Sequence, residues 1–309
     1  MQLTSTPAPT QDLALAGPAE TPVLSAATFT PTATAHGPAH CLNCGHPVPD
    51  RFCGQCGQDA HHTHRLTLKD MPHDVLHSIW HIDKGILYTL RTMVRRPGAT
   101  IRAYLAGKRV DHFRPLSLLF MITGFYALLS AVLHIDMVGP RDLTMPDVVW
   151  QMQVKSTTFL AKYMSWCYVA MVPVWALFAR LFLKKGGFNY AECLIIAAFI
   201  TAISNFFALF MLPVLYHYNG TPQIKTAAFI YACFSFVYVS WAYSTLLKHT
   251  KIKLPGRLWR GFMTFFLGYL TCVLVITLTT YALNWSMFKA SMKAQMQQQA
   301  QAAKAAKPM

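Results

Sequence analysis

From Pro115 onward the chain is dominated by five apolar stretches, roughly 115–135, 160–183, 191–216, 224–247 and 260–284. Each is about long enough for an α-helix to cross a bilayer, which takes about 20 predominantly apolar residues. The expected fold is therefore mostly α: a polytopic helical membrane protein of about five transmembrane helices. Composition agrees, since 54% of the 309 residues are hydrophobic and 13% are charged, against about 25% charged in an ordinary soluble domain. Lys and Arg total 27 against 12 Asp and Glu, for a formal charge of +15. In a membrane protein that excess points first to positive loops beside anionic lipid.

The basic residues also set an orientation. Arg91, Arg95, Arg96, Arg102, Lys108, Arg109 and Arg114 precede the first span, whereas the 136–159 connection holds only Arg141 and Lys155 against Asp136, Asp142 and Asp147. By the positive-inside rule the N-terminus is cytoplasmic. Arg180, Lys184 and Lys185 then mark an inner second loop, Lys225 alone an outer third, and Lys248, Lys251, Lys253, Arg257 and Arg260 an inner fourth. Five spans place the C-terminus outside, where Lys289, Lys293, Lys304 and Lys307 run against the rule. Met1 to Ala27 lacks the basic start and compact apolar stretch of a secretory signal.

Five segments follow along the chain. Residues 1–39 are Thr/Ala/Pro-rich, without helical or strand period, and are expected to be a disordered leader. A ribbon occupies 40–60, basic amphipathic linker helices 61–114, the transmembrane bundle 115–285, and an Ala/Gln/Lys-rich tail 286–309.

Within the ribbon, Cys41-Leu-Asn-Cys44-Gly45 and Cys53-Gly-Gln-Cys56-Gly57 form two CxxC knuckles separated by eight residues. Such a pair supplies the four thiolates of tetrahedral Zn²⁺. Four protein ligands leave no open position for water, so the expected role of Zn²⁺ is structural, stapling a module too small to have a core. A glycine follows each second cysteine, where the chain turns back and positive φ is favoured. A reducing cytoplasm would keep the thiols free. Cys167, Cys193, Cys233 and Cys272 fall singly in or beside spans and read as small packing residues.

Between ribbon and membrane, Leu76, Ile79, Trp80, Ile86, Leu87, Leu90, Met93 and Val94 recur at helical spacing among basic residues. Such helices lie on the headgroup surface or pack against the underside of the spans, and Pro97-Gly98 divides them. His73, His77 and His81 share one helical face, open to a second metal, a proton-linked switch or a plain solvated face. Gly107-Lys108-Arg109 with Arg114 sits at the first span, either as a lipid-phosphate contact or as positive-inside anchoring. It lacks the glycine-rich approach of a P-loop.

Several of these residues form a pattern: Asp83-Lys84-Gly85, Thr89-Leu90-Arg91, Pro97-Gly98, Ile101, Tyr104, Gly107-Lys108-Arg109 and Pro115, preceded by the ribbon ending Cys53-Gly-Gln-Cys56-Gly57-Gln58. Asn189-Tyr190-Ala191-Glu192 later begins a span in the same manner. The chain thereby resembles an uncharacterised bacterial family of multi-span membrane proteins with an N-terminal zinc ribbon, a domain of unknown function. The resemblance implies a polytopic inner-membrane protein with a cytoplasmic ribbon, and no established activity.

Ionisable groups are scarce in the spans. Glu192 and Asn205 are the candidate polar site of the bundle, with Glu192 expected to pair with Lys184 or Lys185 at the inner interface. No nucleophile with a base, no HExxH and no His/carboxylate cluster marks an enzyme. The leading expectation is a non-enzymatic inner-membrane protein whose ribbon recruits or senses a cytoplasmic protein partner, with membrane lipids as its surroundings. The alternative is a transporter or handler of a lipid or small molecule through the bundle, with Lys108, Arg109, Glu192 and Asn205 as polar contacts. Nucleic acid is disfavoured as a partner, because little aromatic stacking surface accompanies the ribbon.

Overall fold

A computed structural model describes residues 40–60, 63, 65–67, 85–135, 141, 147–286, 288–289, 292–293 and 296, apart from the side chains at 148, 159–166, 168 and 280. The expected leader 1–39, His73, His77 and His81, and most of the tail lie outside the described residues. Among the described residues seven α-helices follow the ribbon: α1 Gly85–Arg95, α2 Pro97–Leu105, α3 Pro115–Val132, α4 Asp147–Phe182, α5 Tyr190–His217, α6 Gln223–Leu246 and α7 Leu254–Leu283. Among the described residues no β-strand forms, and only two isolated bridges occur, His40 with Pro47 and Phe52 with Asp59.

Four of these helices, α3, α5, α6 and α7, are long and apolar enough to cross a membrane. The expected second span falls in α4, whose described apolar part is Val169–Phe182. Its first turns carry Gln151, Gln153, Lys155 and Ser156, and the side chains at 159–166 and 168, within the expected span, lie outside the described residues. Pro173 lies inside α4 and Pro213 inside α5. Proline starts α2 and α3, at Pro97 and Pro115, where its missing N–H costs nothing.

α5 is the central helix, packed against α3, α4 and α6. Its Ala197, Ala198 and Ala202 are fully buried, and small side chains of this kind let neighbouring helices approach closely. α7 packs against α4 and α6, closing a ring of α5, α4, α7 and α6. The outward faces of α6 and α7 leave Phe229, Ile230, Val237, Leu274 and Val275 exposed. A bilayer would cover such surface.

α1 and α2 pack against the underside of the bundle rather than lying free of it. Leu90, Met93, Ile101 and Tyr104 join the main core, and the Tyr104 and Phe199 rings meet edge to face at 5.2 Å. Gly98 approaches the end of α6 so closely that an added Cβ would sit 2.7 Å from the Leu246 nitrogen, and its N–H donates to Thr245 Oγ1 at 2.9 Å. Arg102 donates to the carbonyls of Thr245 and Leu246 at 2.6 and 3.1 Å. A cation there satisfies the free carbonyls and complements the dipole at a helix C-terminus. Arg260 does the same for α4 through the Phe182 carbonyl, at 3.1 Å.

These contacts gather the start of α5, the end of α6, the end of α4 and the start of α7 at one end of the molecule. The long helices thus alternate in direction, and α7 finishes at the end opposite the ribbon. Lys184, Lys185, Lys248, Lys251 and Lys253 belong to the loops of the ribbon end.

Candidate metal centre and its dock on the bundle

Each knuckle is a tight turn closed by its own backbone. Gly45 N–H donates to the Cys41 carbonyl and Gly57 N–H to the Cys53 carbonyl, both at 2.8 Å. Both glycines have positive φ, +81° and +75°, as their place after the second cysteine predicts. Cys41 N–H then bonds the His46 carbonyl at 2.8 Å, and Cys53 N–H the Gln58 carbonyl at 2.9 Å. The two knuckles therefore share one backbone design.

That design brings four sulfurs together. Cys41 and Cys56 Sγ are 3.5 Å apart, Cys44 and Cys53 Sγ are 3.5 Å apart, and all four lie within 4.8 Å of one another. Tetrahedral Zn–S bonds of about 2.3 Å would place the sulfurs about 3.8 Å apart. The cluster has the size and donor set to hold a metal ion. Backbone amides of Cys56 and Gln55 directed at Cys53 lower its thiol pKa to about 6, and burial pushes that of Cys56 up to about 12. Amides aimed at a sulfur stabilise the thiolate, the form that binds metal.

The ribbon is docked, not merely tethered. Gln58, 4% exposed, donates through Nε2 to the Gly107 carbonyl at 2.9 Å and accepts at Oε1 from the Arg109 N–H at 3.3 Å. Leu42, inside the first knuckle, covers Gly107, where an added Cβ would lie 3.2 Å from the Leu42 Cβ. Gly107 also has φ +99°, so no other residue suits the position. The backbone of the Gly107-Lys108-Arg109 triplet is thus the ribbon's seat. Lys108 and Arg114 side chains are exposed, and the Arg109 guanidinium lies 5.7 Å from the Tyr104 ring centre.

A second grip follows the ribbon. Arg65 donates to Glu192 through Nε to Oε1 at 2.7 Å and Nη2 to Oε2 at 2.9 Å, and also to the Gly187 carbonyl at 2.8 Å. The expected partners of Glu192, Lys184 and Lys185, are replaced by this residue from 127 positions away. Glu192 is held in place by a capping box: its N–H donates to Asn189 Oδ1 at 2.8 Å, and its Oε2 accepts from the Asn189 N–H at 2.7 Å. Asn189 Nδ2 in turn reaches the Leu66 carbonyl at 3.1 Å, and Leu66 is buried in the main core. The bond to Glu192 raises the Arg65 pKa.

Asn205 stands apart from this network. Its Nδ2 donates to Thr123 Oγ1 at 2.7 Å, a buried link from α5 to α3. Thirteen residues of helix separate it from Glu192, about 20 Å along the axis. The two residues expected to form one polar site of the bundle are not brought together. Gln58 and Arg65 carry the dock; the sequence pattern includes Gln58 only as the end of the ribbon, and Arg65 was passed over. The Asn189-x-x-Glu192 spacing was the available signal, because a capping box turns both side chains toward the helix start.

Fold and site together define a class: an α-helical bundle with membrane-spanning proportions and a four-cysteine metal-type cluster seated on one end. Within it, a family model described as a protein of unknown function (DUF3667) matches residues 83–127, which run from just before α1 into α3 and include the ribbon's seat. No curated protein and no solved structure matches the chain.

Proposed function

We propose that this chain is a non-enzymatic, multi-pass protein of the bacterial inner membrane. Its cytoplasmic zinc ribbon serves as an interaction or sensing module clamped to the bundle. The observation that carries this reading is the closed four-sulfur cluster held to the bundle by Gln58 and Arg65. With four protein sulfurs the metal has no vacant position for substrate or water, so its work is to shape the ribbon. Tetrahedral all-sulfur donors suit zinc among common metals.

The cytoplasmic placement rests on the basic loops collected at the ribbon end, where the positive-inside rule expects them. Exposed Lys108 and Arg114 meet lipid phosphates there. The second knuckle turns an exposed Phe52 outward, with Arg51 5.2 Å from its ring centre. An aromatic with a cation beside it is the composition of a protein-binding hot spot.

The test is crosslinking in intact cells, comparing wild type with a Cys41→Ser/Cys56→Ser variant at matched membrane abundance. A protein captured only by wild type supports recruitment through the ribbon. An unchanged set of captured proteins contradicts it.

A further inference from the structure

The ring of α5, α4, α7 and α6 does not close at its centre, because its diagonal pairs are not packed. A cavity of about 270 Å³ fills that space, near the lower end of small-molecule sites, about 300 Å³. One wall is aromatic: Trp175, Phe236, Phe265 and Tyr269. Gly268 makes that wall, since an added Cβ would collide with the Trp175 indole, which stacks on Phe265 at 5.9 Å between ring centres. The lining also has a polar part, with Thr201, Ser204 and Asn205 in the middle third of α5 and Ser235 on α6. Among the described residues that lining has no carboxylate, amine, guanidinium or imidazole.

A second cavity adjoins the first across Cys167, Met171, Cys272 and Ile276. It is an open groove between α4 and α7 toward Leu283, lined by the exposed Ala170 and Val275 and including Lys155, Ser156 and Asn284. The pair therefore has an aromatic chamber with a hydrogen-bonding edge, continued by a mostly apolar groove whose lining includes Lys155.

We propose that this space binds an isoprenoid quinone: a neutral flat ring with carbonyl oxygens, seated against the aromatic wall and the polar part of the lining, its chain lying in the second cavity. Neutrality of the ring follows from the uncharged lining of the first cavity, because a charge at this depth would need a partner. Ring shape follows from the aromatic wall, which favours stacked or edge-on rings. The Ser204 hydroxyl already donates to the Ile200 carbonyl and the Asn205 amide to Thr123 Oγ1, so the Thr201 and Ser235 hydroxyls are the donors that ring carbonyls would accept from. This site is independent of the ribbon reading.

Native cysteines make the test direct. Cys272 lines both cavities, whereas Cys233 is exposed on α6. The full chain in nanodiscs is titrated with menaquinone-4, and alkylation by N-ethylmaleimide is followed at each cysteine by mass spectrometry. Alkylation of Cys272 should slow saturably as 1 + [L]/Kd, about tenfold at about ten times Kd, while Cys233 is unaffected. Ser235→Phe, which fills the chamber, should abolish the protection. No slowing at Cys272, equal slowing at both cysteines, or equal protection by squalene, which has a chain but no ring, would overturn the proposal in wild type alone.

Discussion

The ribbon end and the middle of the bundle are built on different principles. At the ribbon end, directed polar contacts locate almost every segment: Gln58 on Gly107 and Arg109, Arg65 on Glu192, and Arg102 on the end of α6. In the middle, apolar packing does the work, polar links such as Asn205 to Thr123 are sparse, and the helix ring leaves a cavity. Directed bonds fix one geometry, while apolar packing tolerates neighbouring ones and unfilled space. The contrast assigns position and coupling to the ribbon end, and room for a ligand to the bundle.

Breaking the metal cluster should have the largest effect. Cys41→Ser/Cys56→Ser should lose bound zinc entirely, measured by elemental analysis of the purified protein. Residues 40–60 should then become protease-sensitive, because metal binding in so small a module supplies its folding free energy. The bundle should survive, since its core is separate from the cluster.

Removing the second grip comes next. Arg65→Ala should destabilise the docked state by about 2 kcal/mol, read by denaturant titration in detergent. It leaves a carboxylate 9% exposed without its cation, and the 45% exposure of the Arg65 side chain limits the loss. Glu192→Gln should cost less, about 1 kcal/mol, because an amide oxygen still completes the helix cap. Lys184→Ala/Lys185→Ala should change stability by less than about 0.5 kcal/mol, separating the observed pair from the one that sequence proximity suggests.

Gly107→Ala sharpens the comparison from the other side of the dock. Positive φ and the contact with Leu42 together should cost about 1–2 kcal/mol. The loss should appear as faster proteolysis between ribbon and α1, with the helical circular-dichroism signal intact. Asn205→Ala should cost about 1 kcal/mol, the scale of a hydrogen bond between membrane helices. A larger loss there would make the middle of the bundle as dependent on polar contacts as the ribbon end.

Local chemistry was legible in the sequence. Repeated CxxC-Gly predicts four sulfurs and two positive-φ glycines, and both are present. Apolar runs predict the long helices, and four of them are long and apolar enough to span among the described residues, while the expected second span of α4 includes side chains at 159–166 and 168 that lie outside them. What the sequence left open was which apolar medium receives an amphipathic face. The α1 and α2 faces fit a headgroup layer as well as a protein core, and Gly98 and Arg102 decide it through contacts nearly 150 residues away in sequence. Glu192 failed for the same reason: nearby lysines were the reasonable partners, and tertiary structure supplied Arg65. The central cavity has no local signature either, since it arises from which helices fail to meet.

The central claim is that the metal-organised ribbon and the bundle are mechanically joined. Amide hydrogen exchange of the full chain in nanodiscs, zinc-loaded and after chelation, tests it most directly. The account predicts that chelation speeds exchange in the ribbon, at 107–109 and at 187–192, while 195–205 in the core of α5 stays protected. Unchanged exchange at 107–109 and 187–192 when the ribbon itself has opened would contradict it.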